Sequence, residues 1–225
     1  MSDARLTAYT SSVEVRACGR VWTLDRAASL EELWDAMAEG DGAFDDERLP
    51  YWTELWPSSV ALAEWLLLRR EEIVSRRCLD LGCGLGLTSM VGQWLGGRVL
   101  GMDYEEQALR FARQNAERNN VPQPLWTVMD WRRPAVVRRS VDVVWGGDIM
   151  YERRFVAPVL DFLEHVLARQ GKVWIAEPCR TVYDAFRAEV YRRKWRGRRV
   201  HTMIVDPVYA QPARVTVHVW ELIRC

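Results

Sequence analysis

From residue 76 onward the chain alternates between short apolar runs and longer amphipathic stretches. The runs are RCLDLG (77–82), RVLGMD (98–103), PLWTVMD (124–130), VDVVWGGD (141–148) and KVWIAE (172–177). Between them, apolar positions recur at helical spacing near 86–95, 105–119, 153–169 and 181–195. Near-continuous apolar strands separated by helices belong to a parallel sheet covered on both faces, because a strand buried on both sides shows no polar alternation. The end of the chain breaks this rhythm. RRVHTMIVD and ARVTVHVWELIR follow one another without a helix, which predicts an antiparallel pair at the sheet edge.

Upstream, residues 12–25 alternate around Cys18-Gly19 and predict a β-hairpin. SLEELWDAMAEG follows, with Ser29 as N-cap, Glu32 three residues on and Gly40 as the stop: a capping box on a short helix. A polar loop, DGAFDDERLP, leads to WPSSVALAEWLLLRREE, where Ser58 or Ser59 opens an apolar helical stripe. The 225 residues are 49% hydrophobic, enough for one sizeable core. The expected organisation is a single domain, with 1–49 as a hairpin-and-helix appendage and 50–225 as the core.

Charge and composition narrow the function classes. Net charge is zero, so no global field draws in nucleic acid or an anionic membrane. No apolar run reaches the roughly 20 residues that span a bilayer, and the N-terminus lacks a signal pattern. The five cysteines form no CxxC pair, which fits reduced thiols in a cytoplasmic protein, and the three histidines do not pair at zinc-ligand spacing.

The candidate chemistry centres on CLDLGCGLGLTSM, residues 78–90. In an open α/β sheet, ligands sit beyond the carboxyl ends of the strands, so the first glycine turn is the place to look. A P-loop needs a Lys after its glycines, and none is near. A dinucleotide fingerprint needs GxGxxG, but Leu87 stands where the third glycine would fall after Gly82, Gly84 and Gly86. The GxGxG spacing after an acid at the strand end, Asp80, resembles that of class I S-adenosylmethionine-dependent methyltransferases. The chemistry agrees. This cofactor has no pyrophosphate, glycines let the backbone approach its aminoacyl part, and Asp80 can accept from its ammonium directly or through water. Asp103 closes the next strand, with Tyr104 beside it; one acceptor-only carboxylate suits two vicinal ribose hydroxyls. Asp130 and Trp131 close the third strand, an acceptor for the adenine amino group and an apolar surface beside the base. An Asp at a strand end is often only a helix cap, so the weight lies in the order of the three turns.

Two further stretches, PYWTELWPSSVALAEWLL (50–67) and VVWGGDIMYE (143–152), together resemble methyltransferase family 16, a seven-β-strand group that includes many protein-lysine methyltransferases. The D-x-x-Y motif at Asp148–Tyr151 and the acid-Pro turn Glu177-Pro178-Cys179-Arg180 belong to the same likeness, which covers roughly residues 50–180. It implies a Rossmann-like class I methyltransferase with a seven-stranded, mostly parallel sheet, its last strand antiparallel between the fifth and sixth. It also implies that Trp52 and Trp56 close over S-adenosylmethionine, whose product is S-adenosylhomocysteine. Asp148 and Tyr151 would stand beside the methyl group, with Asp148 docking the acceptor amine.

The implied activity is N-methylation of lysine in a protein substrate. A small amine or heterocyclic nitrogen is the alternative acceptor, and a non-catalytic cofactor-binding subunit is a third reading, against which Asp148 and Tyr151 count. Ile149 and Met150 replace the two prolines typical of adenine amino-group methylation, so nucleobase chemistry is not supported. The basic run 187–199, with Tyr191 and Trp195 interleaved, reads as a solvated helix face or as a surface for an acidic partner or RNA, the former being the commoner use of such a run.

Overall fold

A computed structural model of the chain describes residues 10–27, 50–208 and 213–224. The first two strands, β1 (Thr10–Ala17) and β2 (Arg20–Ala27), form the expected hairpin. Cys18 and Gly19 both take positive φ, 57° and 72°, as a two-residue turn matching the strand twist requires. The helix expected over 29–40 lies outside the described residues.

The core holds the remaining elements: α1 (Pro57–Leu68), β3 (Arg77–Leu81), α2 (Leu87–Trp94), β4 (Arg98–Asp103), α3 (Glu106–Arg118), β5 (Leu125–Val128), β6 (Val141–Gly147), α4 (Val156–Val166), β7 (Leu167–Glu177), α5 (Val182–Arg192), β8 (Trp195–Val205) and β9 (Val215–Arg224). Seven strands form one sheet in the order β5-β4-β3-β6-β7-β9-β8. The five strands β3 to β7 are parallel, and β9 runs antiparallel between β7 and β8, as the family resemblance implies.

Alternation along the central strands sends side chains into two apolar layers. Val143, Trp145, Trp174 and Ala176 join α1, α2 and Phe111 of α3 on one face. Leu79, Leu81, Val144, Val173 and Ile175 join α4 and α5 on the other. The hairpin docks on the first layer. Trp22 is fully buried, and the amides of Asn115 on α3 and of Asn119, its C-cap, bond the outer backbone edge of β2 at Asp25 and Thr23. Two side-chain amides thus take the place of a neighbouring strand and cover an open edge.

Several element bounds differ from the sequence reading. The helix expected over 153–169 is shorter, with a 3-10 turn at Arg153–Phe155 before α4. The strand expected at 172–177 starts at Leu167, because Leu167 pairs with Val141 across an irregularity in β6. The third core strand covers only 125–128, so Asp130 and Trp131 sit in the loop beyond it. Among the described residues no helix is long and apolar enough to cross a membrane.

Gly92, inside α2, tests the packing of the first layer. Helix propensity alone predicts that Gly92→Ala stabilises by about 1 kcal/mol. A Cβ there would lie 2.6 Å from the ring of Trp145, which is fully buried and has nowhere to move. Overpacking costs about 1–3 kcal/mol, so the clash wins. Gly92→Ala is expected to lower the urea midpoint with an unchanged slope. A raised midpoint would show that the Trp145 layer is loosely packed.

Candidate active site

The sheet order reverses at β3: the chain goes outward through β4 and β5, then returns to place β6 on the other side. Connections on either side of that reversal leave a crevice at the carboxyl ends of the strands. A cleft of about 570 Å³ lies there, a size typical of small-molecule sites. Its walls are the turns after β3, β4, β5 and β6, the 51–56 segment before α1, and Arg180 beyond β7.

The glycine turn forms its floor. Gly84 and Gly86 take φ of 50° and 86°, where a side chain is strained. Gly86 also approaches α3 so closely that a Cβ would lie 2.8 Å from that of Ala112. A Cβ on Gly84 would lie 3.5 Å from the carbonyl oxygen of Trp52. The turn is pinned to the neighbouring strand, since Gly84 N–H donates to Asp103 Oδ2 at 2.8 Å and Glu105 N–H to Oδ1 at 3.1 Å. Burial pushes the Asp103 carboxyl up, against these backbone donors.

The structure brings Trp52, Trp56, Gly82, Gly84, Gly86, Asp103, Tyr104, Asp130, Trp131, Asp148 and Tyr151 around this one cleft. Asp80 is the exception and a correction. It is 1% exposed and does not line the cleft. The alternation of β3 turns it beneath the glycine turn, where Oδ2 accepts from the hydroxyls of Thr88 (2.7 Å) and Ser89 (2.6 Å) in the first turn of α2. Among the described residues its Oδ1 meets no donor in full hydrogen-bond geometry, and the Trp145 indole is the polar group beside the carboxyl on the sheet.

Other side chains are more engaged than the sequence suggested. Trp52 packs its ring against Phe111 at 5.7 Å, and Trp56 Nε1–H donates to the Tyr51 carbonyl at 2.9 Å. Both tryptophans therefore line the cleft and stiffen its wall. Asp130 is held by Arg132, whose Nε lies 3.0 Å from each carboxylate oxygen. Burial works against the charged form of Asp130, but the hydrogen bonds and charge of Arg132 hold the carboxyl below its ordinary value. Any adenine amino group would share this carboxylate with Arg132.

The far end of the cleft holds Asp148. Asp148 is not an open carboxylate. Arg180 grips it through two parallel hydrogen bonds, Nε to Oδ1 at 2.8 Å and Nη2 to Oδ2 at 2.7 Å. Asp148 takes φ of 54°, unusual for a residue other than glycine, and its N–H donates to the Ala176 carbonyl at 2.9 Å. Burial raises its carboxyl pKa while Arg180 opposes the rise. The residue does not cap the following helical turn, which opens at Glu152 without a side-chain cap. Tyr151 packs edge to face with Tyr51 (5.2 Å) and Phe155 (5.0 Å). Sequence reasoning missed Arg180 and Tyr51 as wall residues. The only signals were the acid-Pro turn before Arg180 and the position of Tyr51 beside Trp52.

Asp80 gives a pH signature. Burial, reinforced by the charge of Asp103 and opposed by the Ser89 and Thr88 hydroxyls, raises its pKa from an ordinary 3.8 to about 6. A carboxyl raised on folding contributes stability below its unfolded pKa and loses it as pH rises through the folded one. Asp80→Asn cannot lose that contribution. Its stability relative to wild type, from urea unfolding, is expected to grow by roughly 3 kcal/mol between pH 4 and pH 7. A difference flat with pH would show that Asp80 does not titrate in this window.

Comparison with known proteins gives the family and the fold. Residues 46–186 match the family described as lysine methyltransferase. The electron transfer flavoprotein beta subunit lysine methyltransferase of Xenopus laevis is 31% identical over 142 residues, 60% of this chain and 55% of that protein. The ribosomal protein L11 methyltransferase of Photobacterium profundum is 31% identical over 119 residues, 52% of this chain and 39% of that one. The chain thus spans about half the length, or less, of these curated relatives. The fold matches that of magnesium protoporphyrin IX methyltransferase from Synechocystis, solved with bound SAM, with a TM-score of 0.59 at 17% identity over 87% of this chain and 91% of that one. With 46–186 covering more than half its residues, the chain belongs to the lysine methyltransferase family.

Proposed function

We propose that the protein is an S-adenosylmethionine-dependent N-methyltransferase acting on lysine side chains of a protein substrate. The observation that carries this reading is the single cleft that joins the glycine turn and Asp103 at one end to Asp148 and Tyr151 at the other. The residues present suit the cofactor. The three glycines of the turn from Gly82 to Gly86 expose backbone for its aminoacyl part. Asp103 accepts backbone N–H groups on both oxygens and, as an acceptor-only carboxylate at the cleft wall, retains acceptor capacity for a ribose hydroxyl. Trp131 and Met129 supply apolar surface for a base. When bound, the cofactor supplies an electrophilic methyl group on sulfur, so the protein's task is to align a nucleophile.

The acceptor end is built for an amine. Asp148 offers a buried carboxylate, and Tyr51, Trp56 and Tyr151 offer aromatic faces and edges around it. Aromatic faces attract cationic and partly cationic nitrogen groups. The Asp148 side chain is 3% exposed and that of Arg180 38%, so the acceptor end opens outward at Arg180. The four described cysteines are unpaired, which supports a reducing, cytoplasmic setting.

Incubation with tritiated S-adenosylmethionine and an extract of the source organism is expected to label a protein band, with label recovered as methyl-lysine. Label confined to small molecules would overturn the acceptor assignment. Asp103→Ala is expected to weaken S-adenosylhomocysteine binding roughly ten- to a hundredfold by calorimetry, matching the 1.5–3 kcal/mol of a charged hydrogen-bond partner. Unchanged affinity would remove Asp103 from the cofactor site. Asp148→Ala is expected to lose most turnover while cofactor affinity stays within a few fold. Tyr151→Phe should lose less, because the ring contacts with Tyr51 and Phe155 persist. Wild-type turnover in Asp148→Ala would mean that other residues hold the acceptor.

A further inference from the structure

An amine attacks only as the neutral base, yet a free lysine has a pKa near 10.4. A lone carboxylate beside it makes this worse, because a neighbouring negative charge favours the ammonium form. Asp148, read by itself, would therefore hold a substrate amine in its unreactive state. The structure supplies the missing partner. The Arg180 guanidinium lies in the plane-matched, two-bond arrangement on Asp148 and stacks near the Trp56 ring at 5.8 Å.

We propose that Arg180 is a positioning residue for the methyl acceptor: it fixes the Asp148 carboxylate in one orientation and cancels its charge, so that Asp148 can accept a hydrogen bond from an amine without stabilising the ammonium. This inference rests on the reading of the cleft as an amine methylation site. A carboxylate carries about four lone-pair positions, and the guanidinium uses two, so acceptor capacity remains for an incoming N–H. The backbone prepares the arrangement. Asp148 and Cys179 both hold left-handed φ, 54° and 61°, and these two turns, at the ends of β6 and β7, bring the partners together across 32 residues of sequence.

Other charges facing this point are few. Glu177, at the end of β7, adds negative charge near Asp148, with one oxygen accepting from Trp220 Nε1–H at 3.1 Å. Tyr183 of α5 and Tyr51 face Arg180, and burial holds the Tyr183 phenol in its neutral form. Tyr151, also kept neutral by burial, faces Asp103, Glu152 and Arg154. The net balance at the acceptor end is thus set by Asp148 and Glu177 against Arg180. Removing Arg180 makes it more negative by one charge and leaves Asp148 without its counter-charge.

The test is the pH dependence of turnover at saturating substrate, which reports the bound complex. The probe is the strongest tritium-labelled band of the host extract, followed for each variant on that same band. Arg180→Gln is expected to move the ascending limb upward by about one pH unit, roughly tenfold less turnover at pH 7.5. Arg180→Lys keeps the charge but loses the fork, so its limb should stay in place while turnover falls a few fold. The double variant Arg180→Gln, Asp148→Asn removes both charges, and its limb should return to the wild-type position. Affinity for S-adenosylhomocysteine should hold within a few fold throughout. A limb that stays put in Arg180→Gln, with the wild type active, would overturn this inference alone, because a merely structural role lowers turnover without moving it. An extract that the wild type leaves unlabelled would overturn the amine methylation reading and this inference with it.

Discussion

The hydrogen bond from Gly84 N–H to Asp103 Oδ2 ties the turn after β3 to the end of β4. A buried carboxylate must find donors, and a buried N–H must find an acceptor, so each satisfies the other. The glycine turn is then held open toward the cleft instead of collapsing onto the sheet. Gly86, next in the turn, is pressed on Ala112 and starts α2 at the right height for Met90 N–H to reach its carbonyl at 2.9 Å. Trp52 closes from above, its backbone against Gly84 and its ring against Phe111. Removing the carboxylate at residue 103 would free the turn and both of its neighbours, so its effect on ligand binding would run through geometry as well as through a lost acceptor.

Three carboxyl groups lie in the cleft wall or just beneath its floor. Burial raises the carboxyl pKa values of Asp80, Asp103 and Asp148 alike, and each has a different counterweight. Asp80 has two hydroxyls, Asp103 has backbone N–H groups, and Asp148 has a guanidinium. The strength of these partners rises along that series. Of these three only Asp148 meets a full opposite charge, and there the backbone is also bent into the left-handed region, at a cost of order 1–3 kcal/mol. Strain and a buried ion pair at one point identify the part of the site whose orientation is most constrained.

The strands, the glycine turn and the order of Asp103 and Asp130 were legible because each is a local pattern: an apolar run, a break, an acid. What stayed hidden depends on pairing. Asp80 sits at a strand end like Asp103, but its place in the alternation of β3 turns it toward α2, and a single acid does not reveal which face it takes. Arg180 is one arginine after the Glu177-Pro178-Cys179 turn, and its role exists only because β6 and β7 are neighbours. The early start of β7 was hidden for the same reason, since Gln170-Gly171 reads as a turn until Leu167 is paired with Val141. β5 ended sooner than its sequence suggested, and it is an edge strand with Leu125 and Val128 exposed.

The basic run 187–199 shows how pairing also changes the meaning of charge. As a sequence it offers arginines with interleaved aromatics. In the fold, Arg187 meets Asp184, Arg192 meets Glu189, Arg193 meets Glu189 and Asp161, and Arg198 meets Glu221. Trp195 is 2% exposed, with its Nε1–H directed to Glu164 at 3.3 Å, so it presents no face on which a base could stack. Surface pairs of this kind add little stability, but they lessen the field that a run of arginines would project. Arg180 pairs in the same way with a different result. Its partner is buried at the end of a cleft rather than on a helix surface, so its charge acts on whatever enters the cleft.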